Sequence, residues 1–150
     1  MPITVTPFDA TERQAILGLS VSPEQDDLIA SNEESLEEAD ERPECIPLAV
    51  RADGALVGFA MYALDPDDGH YWIYRLMIDA RFQGRGYGRA ALAALVPLIS
   101  AEPDCAHITI SYHPENERAA GLYRSFGFRE TGEVIAGETV ARFKVASATG

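Results

Sequence analysis

The stretch Arg81-Phe82-Gln83-Gly84-Arg85-Gly86-Tyr87-Gly88-Arg89 constrains this chain more than any other. Three glycines alternate with larger residues between two apolar runs. The first, Tyr71–Ile78, is β-branched and aromatic and reads as a strand; the second, Ala90–Ile99, is Ala/Leu-rich and reads as a packed helix. Glycine allows positive φ and close backbone approach to a ligand. Free N–H groups at a helix start form an anion site, and the arginines at 81, 85 and 89 add positive charge. No Gly-Lys-Ser/Thr follows, and the glycine spacing is not G-x-G-x-x-G, so neither a Walker loop nor a dinucleotide fingerprint fits. Strand, glycines, helix and arginines together read as a pyrophosphate cradle.

The flanking patterns organise the rest. Ile3–Phe8 alternates as a strand, and Asp9 or Thr11 caps a short helix ending near Gly18. Ser22-Pro23-Glu24 has the signature of a helix start, with Asn32 as a possible second cap in the segment 24–41. Ile46–Arg51 and Ala55–Leu64 are strands joined through Asp53-Gly54, a hairpin signal, and Tyr71–Ile78 completes an antiparallel meander. Pro97 should kink or end the last turn of its helix. Ala106–Tyr112 is a strand. The helix that follows starts at Pro114–Glu117, buries Ala119, Leu122, Tyr123 and Phe126, and stops at Gly127. Phe128–Val134 and Thr139–Val145 form a final hairpin. The order β–α–α–β–β–β–α–β–α–β–β predicts an α/β fold with a mixed sheet, one domain over 1–146 and a tail at 147–150.

Charge excludes some functions. The chain carries a net charge of −12, and residues 1–50 hold twelve acids against Arg13 and Arg42 alone. A nucleic-acid partner or an anionic membrane surface needs a basic face, which argues against both. No apolar run approaches the roughly 18 residues of a membrane span, and the N-terminus lacks a leader-like pattern, so a cytoplasmic protein is expected. Cys45 and Cys105 read more simply as free thiols than as a disulfide.

Gln83-Gly84-Arg85-Gly86-Tyr87-Gly88 resembles the Q/R-x-x-G-x-G/A signature of the GNAT family of N-acetyltransferases. Leu76-Met77-Ile78 resembles that family's strand end, and Asn116, Ala119, Leu122-Tyr123 and Phe126-Gly127-Phe128 resemble its second motif. The likeness spans residue 3 to about 145. It implies an acetyl-CoA co-substrate held by residues 83–89, with Asn116 close by. The pantetheine arm would pair with the edge of Leu76–Ile78, where the strand splays from 105–112. A backbone N–H near Ile78 would hold the thioester carbonyl oxygen, and Tyr123 would protonate the departing thiolate during direct attack by a neutral amine. Tyr123 also lies on the apolar face of its helix, which fits a core role. No metal enters this chemistry. Where many family members have a carboxylate nine residues before the signature Gln, this chain has Tyr74; His113 is a candidate base, with His70 and His107 less favoured.

Within the family, residues 15–22, 57–62, 75–79 and 126–128 resemble bacterial spermine/spermidine acetyltransferases. A cationic acceptor suits the acids: Glu33, Glu34 and Glu37 belong to a segment that borders the acceptor cleft in the family, and Trp72 and Tyr74 share a strand face where rings can hold an ammonium. The acids fit equally a solvated helix face. Alternative acceptors are an aminoglycoside or a protein N-terminus, and a non-catalytic acyl-CoA sensor is the rival from another class. The resemblance also implies a homodimer.

Overall fold

A computed structural model describes residues 3–19 and 32–145. In chain order the elements are β1 (Ile3–Thr6), α1 (Ala10–Leu17), α2 (Asn32–Glu41), β2 (Cys45–Ala52), β3 (Ala55–Leu64), β4 (Tyr71–Ile78), α3 (Tyr87–Ser100), β5 (His107–Tyr112), α4 (Glu117–Phe126), β6 (Arg129–Ile135) and β7 (Glu138–Lys144). The Ser22-Pro23-Glu24 helix start lies outside the described residues. Asp9 caps α1 by accepting from the Glu12 N–H, as its residue type predicts. Asn32 is not a cap. Its side chain is buried and donates from Nδ2 to the Ile16 carbonyl at 2.8 Å, tying the start of α2 to the end of α1.

The strands form one seven-stranded sheet in the order β1-β2-β3-β4-β5-β7-β6. β1 to β4 are antiparallel, β4 and β5 run parallel, and the last three are antiparallel again. Asp53 and Gly54 both have positive φ, 50° and 83°, the geometry of a two-residue turn whose twist matches the strands it joins. The α1/α2 face buries Ile16, Leu36, Phe59, Met61 and Met77, while the α3/α4 face buries Leu92, Leu95, Ile99, Ile108, Tyr123 and Phe128. Each such side chain contributes about 1.5–3 kcal/mol on burial.

α3 begins three residues earlier than the apolar pattern predicts, because Gly86 in the left-handed region supplies its N-terminal boundary. It also runs past Pro97 to Ser100: in the last turn the missing N–H costs one bond rather than the helix. On α4, only Tyr123 of the four predicted core residues is fully buried. Both cysteines are free, Cys45 buried and Cys105 half-buried. No helix among the described residues is long and apolar enough to cross a membrane.

Candidate active site

The site forms where β4 leaves β5. Their parallel pairing covers Tyr71↔Ile108, Trp72↔Thr109 and Ile73↔Ile110 and extends no further. On the other edge of β4, the register with β3 shifts between Met61↔Arg75 and Tyr62↔Ile73, so Tyr74 is an extra residue. Such a bulge bends its strand and raises the local twist. Beyond it, Asp79 N–H donates to Val57 O at 2.8 Å, toward β3. Backbone groups alternate sides along a strand, so those of Leu76 and Ile78 point into the gap. The Ile78 carbonyl accepts there from Gln83 Nε2 at 2.9 Å; its N–H faces the same side.

A cavity of about 270 Å³ occupies the gap between β4, the glycine bend and α4. Gly84 and Gly86 line it with φ of 81° and 79°. A Cβ built on either meets no protein atom within 4 Å, so these glycines hold open space that side chains would fill. α3 starts at this bend without a side-chain cap, leaving its first-turn N–H groups and the positive end of its dipole for an anion. Positive φ, uncapped N–H groups and an adjoining apolar wall fit the diphosphate and pantetheine parts of acetyl-CoA. The expected residues Leu76, Met77, Ile78, Gln83, Gly84, Gly86, Tyr87, Gly88, Arg89 and Asn116 all line this cavity. Arg85 does not; its guanidinium lies over the Phe82 ring, 5.6 Å from its centroid. Arg81 pairs with Asp79 at 2.7 Å, and Arg89 donates to Ser125 Oγ at 2.7 Å, so two of the three expected cations are already engaged. Sequence spacing gave no sign of Phe82, Arg118, Ala119 and Leu122 as lining residues. Arg118 donates to Gln83 Oε1 at 2.7 Å, bracing the signature glutamine between β4 and α4.

A second cavity, of about 160 Å³, adjoins the first and is lined by Tyr74, Arg75, Ser111, Tyr112 and Glu138 among others. Leu76, Asn116, Ala119 and Tyr123 line both. Asn116 Oδ1 caps α4 by accepting from the Ala119 N–H. The Tyr123 ring is buried between Tyr112 and Phe128, each 5.7 Å away between centroids. Its hydroxyl makes no hydrogen bond to the described residues, yet no buried polar side-chain atom among them lacks a partner. Oη is therefore not sealed in the core, and Tyr123 lines both cavities where they adjoin. Burial, and then the neighbouring Tyr112, push its phenol above the ordinary value of 10.0.

Other expected site residues are placed differently. The Arg42 guanidinium lies over the Tyr74 ring, 5.4 Å from its centroid, so an acceptor ammonium would have to displace it from that face. The Tyr74 hydroxyl donates to Asp65 Oδ2 at 2.6 Å and accepts from Arg42 Nη2 at 3.3 Å. Burial and then the Asp65 bond raise the Tyr74 phenol, keeping it protonated. Trp72 packs beside Tyr74 but donates from Nε1 to Asp68 and lines neither cavity. Glu33, Glu34 and Glu37 are exposed on α2 and also line neither. His113 accepts from the Glu115 N–H in the turn before α4, away from both cavity linings, while His70 and His107 face each other at 6.4 Å.

Residues 10–128 match the Acetyltransferase (GNAT) family, and the chain belongs to it. It is an acetyl-CoA-dependent N-acetyltransferase acting on amines. The chain is 37% identical to the spermine/spermidine N(1)-acetyltransferase of Bacillus subtilis (strain 168), over 89% of this chain and 92% of that protein. It is 36% identical, over the same shares, to a probable spermine N(1)-acetyltransferase of Bacillus subtilis subsp. natto. Among solved structures it resembles the aminoglycoside acetyltransferase AAC(6')-Ib in complex with coenzyme A and kanamycin, with a TM-score of 0.79 at 18% identity over 95% of this chain and 94% of that one; this likeness shows the fold.

Proposed function

We propose that the chain acetylates a primary amine of a polyamine, with spermidine and spermine as its acceptors, by direct attack of the neutral amine on the thioester. The observation that carries this reading is that two adjoining cavities share Tyr123 in their linings, one fitted to acetyl-CoA and one open to a second substrate. The names of the Bacillus subtilis relatives support a polyamine, and a net charge of −12 favours capture of a polycation.

Acetyl-CoA, when bound, supplies an activated acyl thioester. Gly84, Gly86 and the first N–H groups of α3 hold its diphosphate, and the exposed edge of Leu76–Ile78 pairs with its pantetheine arm. The Ile78 N–H, on the gap side of β4, donates to oxygen that becomes negative during transfer. Tyr123 keeps its proton at neutral pH and presents it at Oη, where a leaving group needs one. Position 74 carries a phenol whose own proton is held by Asp65, so the acceptor ammonium loses its proton to solvent through the second cavity. Glu33, Glu34 and Glu37 on α2 raise the local concentration of the cationic acceptor.

Thiol release from acetyl-CoA, followed with spermidine, spermine, kanamycin and amino acids, tests the reading. Saturable release with the polyamines is expected; release with kanamycin or amino acids alone would overturn the choice of acceptor.

A further inference from the structure

We infer that Glu138 anchors the acceptor by taking the charge of an ammonium group other than the one that reacts. This rests on the proposed assignment of the second cavity to the amine. Glu138 is the first residue of β7, directly after the turn formed by Ala136 and Gly137. Its half-buried side chain reaches back over β5 and lines the second cavity, and Ser111 Oγ donates to its Oε1 at 2.9 Å. That bond fixes the carboxylate without neutralising it.

The charges around it are unbalanced. Arg75, the cation in the same cavity lining, is engaged by Ser35 Oγ at 2.8 Å, the Tyr74 carbonyl at 2.7 Å and Glu38 at 3.6 Å. Arg142, on the same strand as Glu138, pairs with Glu133 at 3.8 Å and donates to Thr109 Oγ1. Glu138 takes part in no ion pair among the described residues. A half-buried carboxylate that is held but unpaired favours a cation entering its cavity. Size narrows the ligand further. About 160 Å³ is close to the volume that holds one benzene-sized group, so an unbranched aminoalkyl arm fits and a multi-ring acceptor enters only in part. The phosphate-holding N–H groups lie at the other cavity, whose lining has no acid, so Glu138 is the one carboxylate in the two linings.

Glu138→Gln keeps the shape and an acceptor for Ser111 while removing the charge. KM and kcat are measured for spermidine, spermine, 1,3-diaminopropane, propylamine and kanamycin at two salt concentrations, together with KM for acetyl-CoA and Tm. For every multiply charged amine that the wild type acetylates, KM rises roughly tenfold, the factor set by about 1.4 kcal/mol. Its salt dependence weakens, while kcat, KM for acetyl-CoA and Tm stay at wild-type values. Propylamine, with one nitrogen, shows no such rise. Glu138→Asp, which retains the charge, stays within about threefold of wild type, separating lost charge from altered packing. An unchanged KM for multiply charged amines overturns the inference, as does a rise matched by propylamine or by acetyl-CoA. Turnover of kanamycin but not of polyamines, with the same tenfold effect, would overturn the polyamine reading and retain the role of Glu138. No wild-type turnover with any amine would overturn both.

Discussion

Tyr123→Phe separates a proton donor from a core aromatic, because the structure predicts opposite signatures for the two. The substitution removes one oxygen that makes no hydrogen bond to the described residues, on a residue that lines both cavities. The ring contacts with Tyr112 and Phe128 at 5.7 Å are kept. No buried partner is orphaned, so stability should change by at most about 0.5 kcal/mol. For a chain of this length that is roughly 1–2 °C in Tm. If Oη supplies a proton during transfer, kcat falls by about 10²–10⁴-fold, equivalent to roughly 3–5 kcal/mol of barrier. The assays are steady-state thiol release at saturating amine, isothermal titration with coenzyme A, and thermal unfolding. The expected result is a loss of at least about a hundredfold in kcat, with coenzyme A affinity and Tm near wild type. A variant with kcat within twofold of wild type would exclude Tyr123 as the proton donor and return it to the core.

The same phenol sets an expectation for pH. Its protonated form is the donor, and its raised pKa keeps that form until the pH passes beyond 10.0, so kcat should show no descending limb below that value; a fall centred near neutrality would contradict it. Gly86→Val places a β-branched side chain at φ 79°, where L-residues pay about 1–2 kcal/mol, and projects it into the open cradle. The Kd for acetyl-CoA should weaken at least about tenfold, and an unchanged Kd would remove the glycine bend from the binding site. Gly58→Ala drives a Cβ into the Met77 carbonyl oxygen, forcing β3 and β4 apart. A loss of about 1–3 kcal/mol in chemical denaturation should follow, with weaker acetyl-CoA binding as the Leu76–Ile78 edge moves; wild-type stability would show that the strands yield freely. The triple variant Glu33→Gln, Glu34→Gln, Glu37→Gln should raise KM for spermidine and flatten its dependence on salt without changing kcat. If neither moves, these acids form only a solvated face of α2.

Local patterns made much of the fold legible. Asp53-Gly54, the β-branched and aromatic run Tyr71–Ile78, Asn116 before α4 and Gly127 after it each act within a few residues, and each produced the predicted element. The glycine bend was legible for the same reason, since positive φ is a property that a residue type announces. What the sequence hid depends on distant partners. Nothing near Tyr74 foretells that Asp65 and Arg42 will occupy its hydroxyl and ring, and nothing near Glu138 foretells that β7 will insert beside β5 and bring it to Ser111. The α4 pattern shows a related limit. Apolar spacing marked Ala119, Leu122 and Phe126 as core, but they are half-buried, and Ala119 and Leu122 are the wall of the first cavity. A binding wall and a core face carry the same residue types.

In the proposed reaction, acetyl-CoA meets a polyamine at Tyr123. Its most direct test is to incubate the purified protein with acetyl-CoA and spermidine and analyse the amine by mass spectrometry alongside thiol release. Monoacetylated spermidine should form in step with free thiol, and both should be lost together in Tyr123→Phe. Unmodified spermidine and spermine under conditions where the wild-type protein binds acetyl-CoA would contradict it.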